Sequence, residues 1–344
     1  MGTQGSLSRR ILLGGLALPA PALLSRAAGA QETGIKITVD FSIYGPNSPF
    51  VLATDLGLFR EAGVTAAVDG SGGSGDAITR VANGSYDFGF ADVSTLVEFC
   101  ARNPQSSPKL VLPILDRPPP SVVAFRRSGI TRMADLVGRK VGTGRADASS
   151  RLFPAVLRHN GLDIRSLTPL SVDSRVRDPM LIRGEVDAVV GFDYTILFNL
   201  LRNGVPLADM NVIYYADNGF DFYGNGLIAS RAIIERDPGL VRRVARASCR
   251  AWVAAIRDPR ASVEAIARRD ALVDVPLETQ RLAWTAEKHI LTPAVRASGL
   301  GVMDMARLEA GIATVTEAFE LPRKPAPAEF YDDRFAPAAD DRRI

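Results

Sequence analysis

Beyond residue 34 the chain alternates between two periodicities. Short β-rich apolar runs occur at 35–41 (IKITVDF), 65–69, 86–91 and 110–115. Between them, apolar residues recur three and four positions apart over 50–63, 77–83 and 94–102. The first pattern predicts strands and the second predicts helices, so the sheet they build is parallel or mostly parallel. A second pass begins near residue 131. It predicts a short helix at 133–137 and a strand at 140–142. A helix at 151–160 and a strand at 167–172 follow, then a helix at 176–183 and a strand at 186–191. The order repeats: strand, polar loop, helix, strand, helix, glycine, strand, aspartate.

The repeat is sharpest in two stretches, ANGSYDFGFAD (82–92) and IRGEVDAVVGFD (182–193). Each carries a glycine, an aspartate three positions later, an apolar run and a second aspartate. The glycines read as helix ends. The second aspartates, Asp92 and Asp193, emerge where open α/β sheets bind ligands, beyond the strands' C-terminal ends. Each aspartate could equally cap the helix that follows it. Two segments read as crossings between the repeats, 121–125 (SVVAF) outward and 225–229 (NGLIA) back. Helices are expected afterwards at 238–256, 259–267, 277–290 and 304–319, with Trp252, Trp284 and Phe319 in the core. The proline-rich tail from 322 to 337 is expected to wrap the surface without a core of its own.

Charge changes the picture only at the N-terminus. Three of the 41 basic residues, Arg9, Arg10 and Arg26, lie in residues 1–30, where there is no acid. The rest of the chain carries 38 basic and 38 acidic residues. Composition therefore gives no support to a nucleic-acid partner. Ser8-Arg9-Arg10-Ile11-Leu12-Leu13 is close to a twin-arginine pattern, and Ala28-Gly29-Ala30 has the small-x-small form of a cleavage site. The uncharged run at 11–25 is shorter than the roughly 20 residues a membrane span needs. Residues 1–30 therefore read as an export signal, by the twin-arginine or the general route, to a periplasm. Cys100 and Cys249 could pair in that oxidising space or remain buried thiols.

Candidate chemistry is sparse. GSGGSGD (70–76) resembles a phosphate loop without its lysine. It is read as presenting backbone N–H groups and a helix start to a polar ligand, or as a flexible turn. VGTGRAD (141–147) is a poor dinucleotide fingerprint. Ser149 and Ser150 stand at a helix start, where they could meet an anion or cap the helix. Arg145 could add a fixed positive charge. There is no GxSxG, HExxH or Cys-x-x-Cys, and the only histidines, His159 and His289, lie in helices. No nucleophile, metal or cofactor is singled out. Tyr44, Tyr194 and Tyr223 sit beside polar loop residues, where a flat ring could stack.

The loop Tyr44-Gly45-Pro46-Asn47, LATDLGLFREA (52–62), GSYDFGFAD, KVGTGRADAS and the ending YDDRFAP together resemble a known family. It is that of the periplasmic solute-binding proteins of ABC importers, in the branch of sulfonate, nitrate and thiamine-precursor binders related to thiamine pyrimidine synthase. The resemblance covers nearly all of the chain after residue 30. It implies a two-lobed periplasmic binding protein fold, type II-like, with two mixed sheets flanked by helices and two crossover segments. One lobe would be 31–121 plus 225–344, the other 122–224. It also implies a monomer that closes on a small-molecule ligand and delivers it to a membrane permease and ATPase.

The candidate ligand contacts are Tyr44, Asn47, Ser74, Asp76, Asp92, Arg145, Ser149, Asp193, Tyr194 and Tyr223. With Asp147 they make a cleft rich in acceptors, which suits an amino-substituted heterocycle such as a pyrimidine precursor of thiamine. A small anion held by Arg145, Ser149 and Ser150 is the alternative. The enzyme of the family would need a lysine for pyridoxal phosphate and a histidine to consume. No lysine occurs between Lys36 and Lys109 and no histidine before His159.

Overall fold

The computed structural model describes Met1, Gly2 and residues 32–344, apart from Ala146. The export signal expected at residues 1–30 lies outside the described residues, save its first two positions. From Glu32 onward the chain forms one compact unit.

Ten strands form two five-stranded sheets. In chain order they are β1 (Thr33–Thr38), β2 (Val64–Asp69), β3 (Phe88–Asp92), β4 (Lys109–Pro113), β5 (Pro120–Phe125), β6 (Lys140–Gly144), β7 (Thr168–Val172), β8 (Ala188–Phe192), β9 (Met210–Tyr214) and β10 (Asn225–Ala229). The first sheet runs β2-β1-β3-β10-β4 and the second β7-β6-β8-β5-β9. β1 is parallel to β2 and β3, while β10 is antiparallel to β3 and β4. β6, β7, β8, β5 and β9 repeat that arrangement. The two sheets are thus one plan used twice, and in each a strand from the far side of a crossing fills the fourth place.

The repeated sequence device has a structural meaning. Gly84 and Gly184 both adopt the left-handed region, at φ 79° and 71°, where a side chain would be strained. Three residues on, Asp87 accepts a hydrogen bond from the Lys36 backbone N–H at 3.0 Å, and Asp187 accepts one from Lys140 N–H at 2.8 Å. Each aspartate clips its third strand to the first strand of the same sheet.

Elsewhere the structure departs from the expected elements, most clearly in a helix and in the tail. The helix expected over 50–63 is two helices, Ser48–Asp55 and Leu58–Glu61, because Gly57 at φ 72° breaks the run. The tail enters the body: Phe330 and Phe335 are buried, and Tyr331 bridges Leu110 at the edge of β4. Between the first sheet and the helix Pro238–Arg257, Phe50, Phe90 and Trp252 meet with ring centroids 5.4–6.2 Å apart. Trp284 and Phe319 are only partly buried. Cys100 and Cys249 are buried and unpaired. Among the described residues no helix is long and apolar enough to cross a membrane.

Candidate ligand-binding cleft

A narrow cavity of about 40 Å³ opens between the C-terminal ends of the two sheets. On the first-sheet side its wall is Asp40, Phe41 and Tyr44 after β1 and Gly72–Ser74 after β2. On the other side it is Asp147 and Ala148 after β6, Ser174 and Arg177 after β7, and Phe192 and Thr195 at the end of β8. The walls touch at the rim, where the Tyr44 hydroxyl lies 3.4 Å from Thr195 Oγ1.

Asp40 is the chemically distinctive group of this wall. It is 5% exposed. Asn47 Nδ2 donates to its Oδ1 at 3.2 Å and Asn225 Nδ2 to its Oδ2 at 2.6 Å. No cation touches it among the described residues. Burial pushes its carboxyl up to about 7, against the two amides, and the Asp92 charge adds to the rise. Both amides keep their own Oδ1 buried with no hydrogen-bond partner among the described residues.

The opposite wall is neutralised from within. Arg177 is 1% exposed; it donates to Asp178 Oδ1 at 2.8 Å, to the Val190 carbonyl at 2.7 Å and to Asp147 Oδ2 at 3.2 Å. Its guanidinium lies flat on β8, where a Cβ at Gly191 would sit 2.4 Å from Nη1. That approach accounts for the glycine at 191 on this strand. Asp147 also caps the helix Ala148–His159, accepting from the N–H groups of Ser149 at 2.7 Å and Ser150 at 3.3 Å.

The sequence candidates divide among several environments. Tyr44 and Ser74 line the cavity. Asn47 stands behind it, holding Asp40. Ser74 Oγ accepts the Asp92 backbone N–H at 3.1 Å. Asp92 caps the helix Val93–Arg102, its Oδ1 taking Thr95 N–H and Oγ1 at 2.9 Å and the Ser94 hydroxyl. Burial raises its carboxyl, against those donors. With Tyr223 it lines a second small cavity rather than this one. The Tyr223 hydroxyl accepts Asp304 N–H at 2.7 Å, and Arg307 lies 4.4 Å over its ring. Asp76 is half-exposed and paired with Arg80 at 2.8 Å. Arg145 is exposed and outside the wall. Ser149 is fully buried, its Oγ without a partner among the described residues. Tyr194 is buried behind the rim, 6.4 Å from Tyr44 ring to ring.

Asp193 does not mirror Asp92. His289 Nε2 lies 2.7 Å from its Oδ1, and Trp284 Nε1 at 2.8 Å and the Tyr214 hydroxyl at 2.9 Å donate to Oδ2. Burial raises its carboxyl, but His289, Trp284 and Tyr214 outweigh burial and hold it below its ordinary value. This fully used carboxylate ties the second sheet to the helical segment 275–290.

Sequence reading missed Asp40, Arg177, Phe192 and Thr195. Asp40 was absorbed into the first apolar run, although an acid at the end of a β-rich run was the available signal. Arg177 had none, since nothing in SRVRDP marks which arginine turns inward.

Three comparisons place this geometry. A family model described as NMT1/THI5 like matches residues 47–262. The riboflavin-binding protein RibY of Chloroflexus aurantiacus is 26% identical over 238 residues, 68% of this chain and 66% of that protein. The 4-amino-5-hydroxymethyl-2-methylpyrimidine phosphate synthase of Legionella pneumophila is 25% identical over 147 residues, 42% of this chain and 45% of that one. The chain thus spans under two thirds of the length of either relative. Among solved structures, the alkanesulfonate-binding protein SsuA of Xanthomonas axonopodis pv. citri, bound to MOPS, superposes with a TM-score of 0.63. That match has 18% identity and covers 88% of this chain and 99% of the other. The fold is that of periplasmic binding proteins, and this chain belongs to the NMT1/THI5-like family.

Proposed function

We propose that this chain is the exported solute receptor of an ABC importer. It captures a small heteroaromatic solute between two lobes and hands it to an inner-membrane permease and ATPase. The lobes are 31–121 with 225–344, and 122–224; residues 1–30 direct export to the periplasm. The observation that carries this reading is the cavity wall: a buried carboxyl, Asp40, set beside the rings of Phe41, Tyr44 and Phe192 between two sheet ends. A flat ring can stack there while its polar edge meets the acid. At about 40 Å³ the cavity holds only a few atoms, so capture requires the lobes to open. The relatives named for riboflavin and for a pyrimidine phosphate support a ring ligand.

An alkyl sulfonate or another small anion is the second reading, favoured by the helix Ser74–Ala82, whose N-terminus joins the wall. Against it, Asp147 already takes the N–H groups of Ser149 and Ser150 and the Arg177 charge. A synthase role fits worse. No lysine lines the cavity to carry pyridoxal phosphate. His289 is spent on Asp193, and His159 packs against Phe220. Native mass spectrometry of the protein purified from a periplasm, followed by denaturation and identification of any released molecule, tests the assignment. A heterocycle supports it; an alkyl sulfonate or inorganic anion replaces it with the second reading.

A further inference from the structure

The Asp40 carboxyl is buried with no cation in contact among the described residues, which favours the neutral acid even against the amides that hold it. It lies at the end of β1, in the cavity wall, and each oxygen receives one amide N–H, from Asn47 and from Asn225. Those amides donate to Asp40, Asn47 also to the Ser42 carbonyl at 3.1 Å, and leave their own carbonyl oxygens unpartnered among the described residues. The trio is organised around the carboxyl at the expense of its neighbours.

The one cation in the same wall, Arg177, is turned to Asp178, Asp147 and the Val190 carbonyl, and among the described residues no cation touches Asp40. Of the groups facing Asp40, Tyr44 comes from its own loop, Asp92 from the end of β3 and Tyr194 from the helix Asp193–Arg202. Across the cavity stands Asp147, already paired with Arg177. Arg281, behind Tyr44, lies over the Tyr44 ring at 5.0 Å.

Resting on the heteroaromatic reading above, we propose that Asp40 is the anchor for the ligand's polar edge and that the bound complex contains its proton. A protonated carboxyl offers an O–H donor beside a C=O acceptor. Its complement is a ring edge with an acceptor beside an N–H, as in the ring nitrogen and amine of an aminopyrimidine or the lactam of a flavin. Two hydrogen bonds form at once. Whether the proton rests on oxygen or on the ring nitrogen, the complex holds one more proton than ionised Asp40 and free ligand. The carboxyl's raised value, about 7, places the consequence in an accessible range. Above it, binding must take up a proton from solvent.

The test is calorimetric titration of the full protein with 4-amino-5-hydroxymethyl-2-methylpyrimidine and with riboflavin, from pH 5.5 to 8.5, in two buffers of different ionisation enthalpy. The expected result for whichever ring binds is constant affinity below about pH 6.5 and a loss of about tenfold per pH unit above 7. At pH 8 about one proton is taken up per ligand. Asp40→Asn should bind at least about tenfold more weakly at pH 6 and show a flat profile. A wild-type profile that is flat with no proton uptake, or an Asp40→Asn profile matching the wild type, removes the anchor but leaves the ring receptor standing. If neither ring binds at any pH, the anchor falls with the heteroaromatic reading, and binding of ethanesulfonate would then identify the anion receptor. The wild-type measurement needs no variant, so a misfolded Asp40→Asn protein would not rescue the idea.

Discussion

Asp40 and Asp193 are both buried carboxyls, yet they pull stability in opposite directions with pH. The Asp40 value is raised on folding, so the native state holds its proton more tightly than the unfolded chain. Its contribution therefore falls as pH rises from about 4 to about 7. At one pKa unit per 1.36 kcal/mol, the penalty above pH 7 reaches up to about 4 kcal/mol. Asp40→Asn should be the more stable protein at pH 8 and equal to the wild type near pH 3, as urea midpoints at the two pH values would show. The Asp193 value is lowered, so its contribution is present above the ordinary carboxylate value and is lost as pH falls through the folded one. Removing its partner by His289→Ala leaves a buried carboxylate short of a donor and should cost about 3–5 kcal/mol in urea denaturation at pH 7. Neither role was legible from the chain. A carboxylate that anchors a fold and one that waits for a ligand are the same letter, and only the number of donors around each separates them.

At the scale of elements the sequence was far more readable. The helix Pro259–Ala267 falls where periodicity puts it, because it buries one regular face; the segment read as the returning crossing is the strand β10, buried at every position. β9 went unread, since MNVIY is short and mixes polar with apolar residues. The break at Gly57 was hidden inside a run with helical spacing on both sides. The paired clips give a sharper test. Asp87→Ala and Asp187→Ala each remove one side-chain bond to a backbone N–H, an expected loss of about 1 kcal/mol. They act in different sheets, so the double variant should lose the sum to within about 0.5 kcal/mol. A clearly larger loss in urea denaturation would mean that the two sheets are coupled through these clips.

At the scale of the molecule, side chains beyond the two sheets meet across them. Arg151, after β6, reaches Glu98, after β3, at 3.1 Å from Nε. On another flank Arg202 donates to Glu278 at 2.8 Å and Arg281 meets Asn199 at 3.3 Å. Glu278 also accepts the Gly45 N–H at 2.9 Å, so that flank is anchored in the first half. Glu98→Gln with Arg151→Ala should shift the protein toward an opened form. Small-angle scattering should then give a larger radius of gyration, and bound ligand should leave faster, with little change in the unfolding midpoint.

The exchange of strands between the two sheets also sets an order of assembly. The second sheet is complete within 120–214, a continuous length of chain. The first cannot close until β10, more than a hundred residues after β4, slots between β3 and β4. A chain ending at residue 224 would therefore carry a finished second sheet beside a first sheet with an empty lane. The late contacts of β10 span a long loop and form slowly. Asn225, which opens β10, carries one of the two amides that hold Asp40. The cavity wall therefore matures last, and a partly folded chain would be unable to seize a ligand before its architecture is whole.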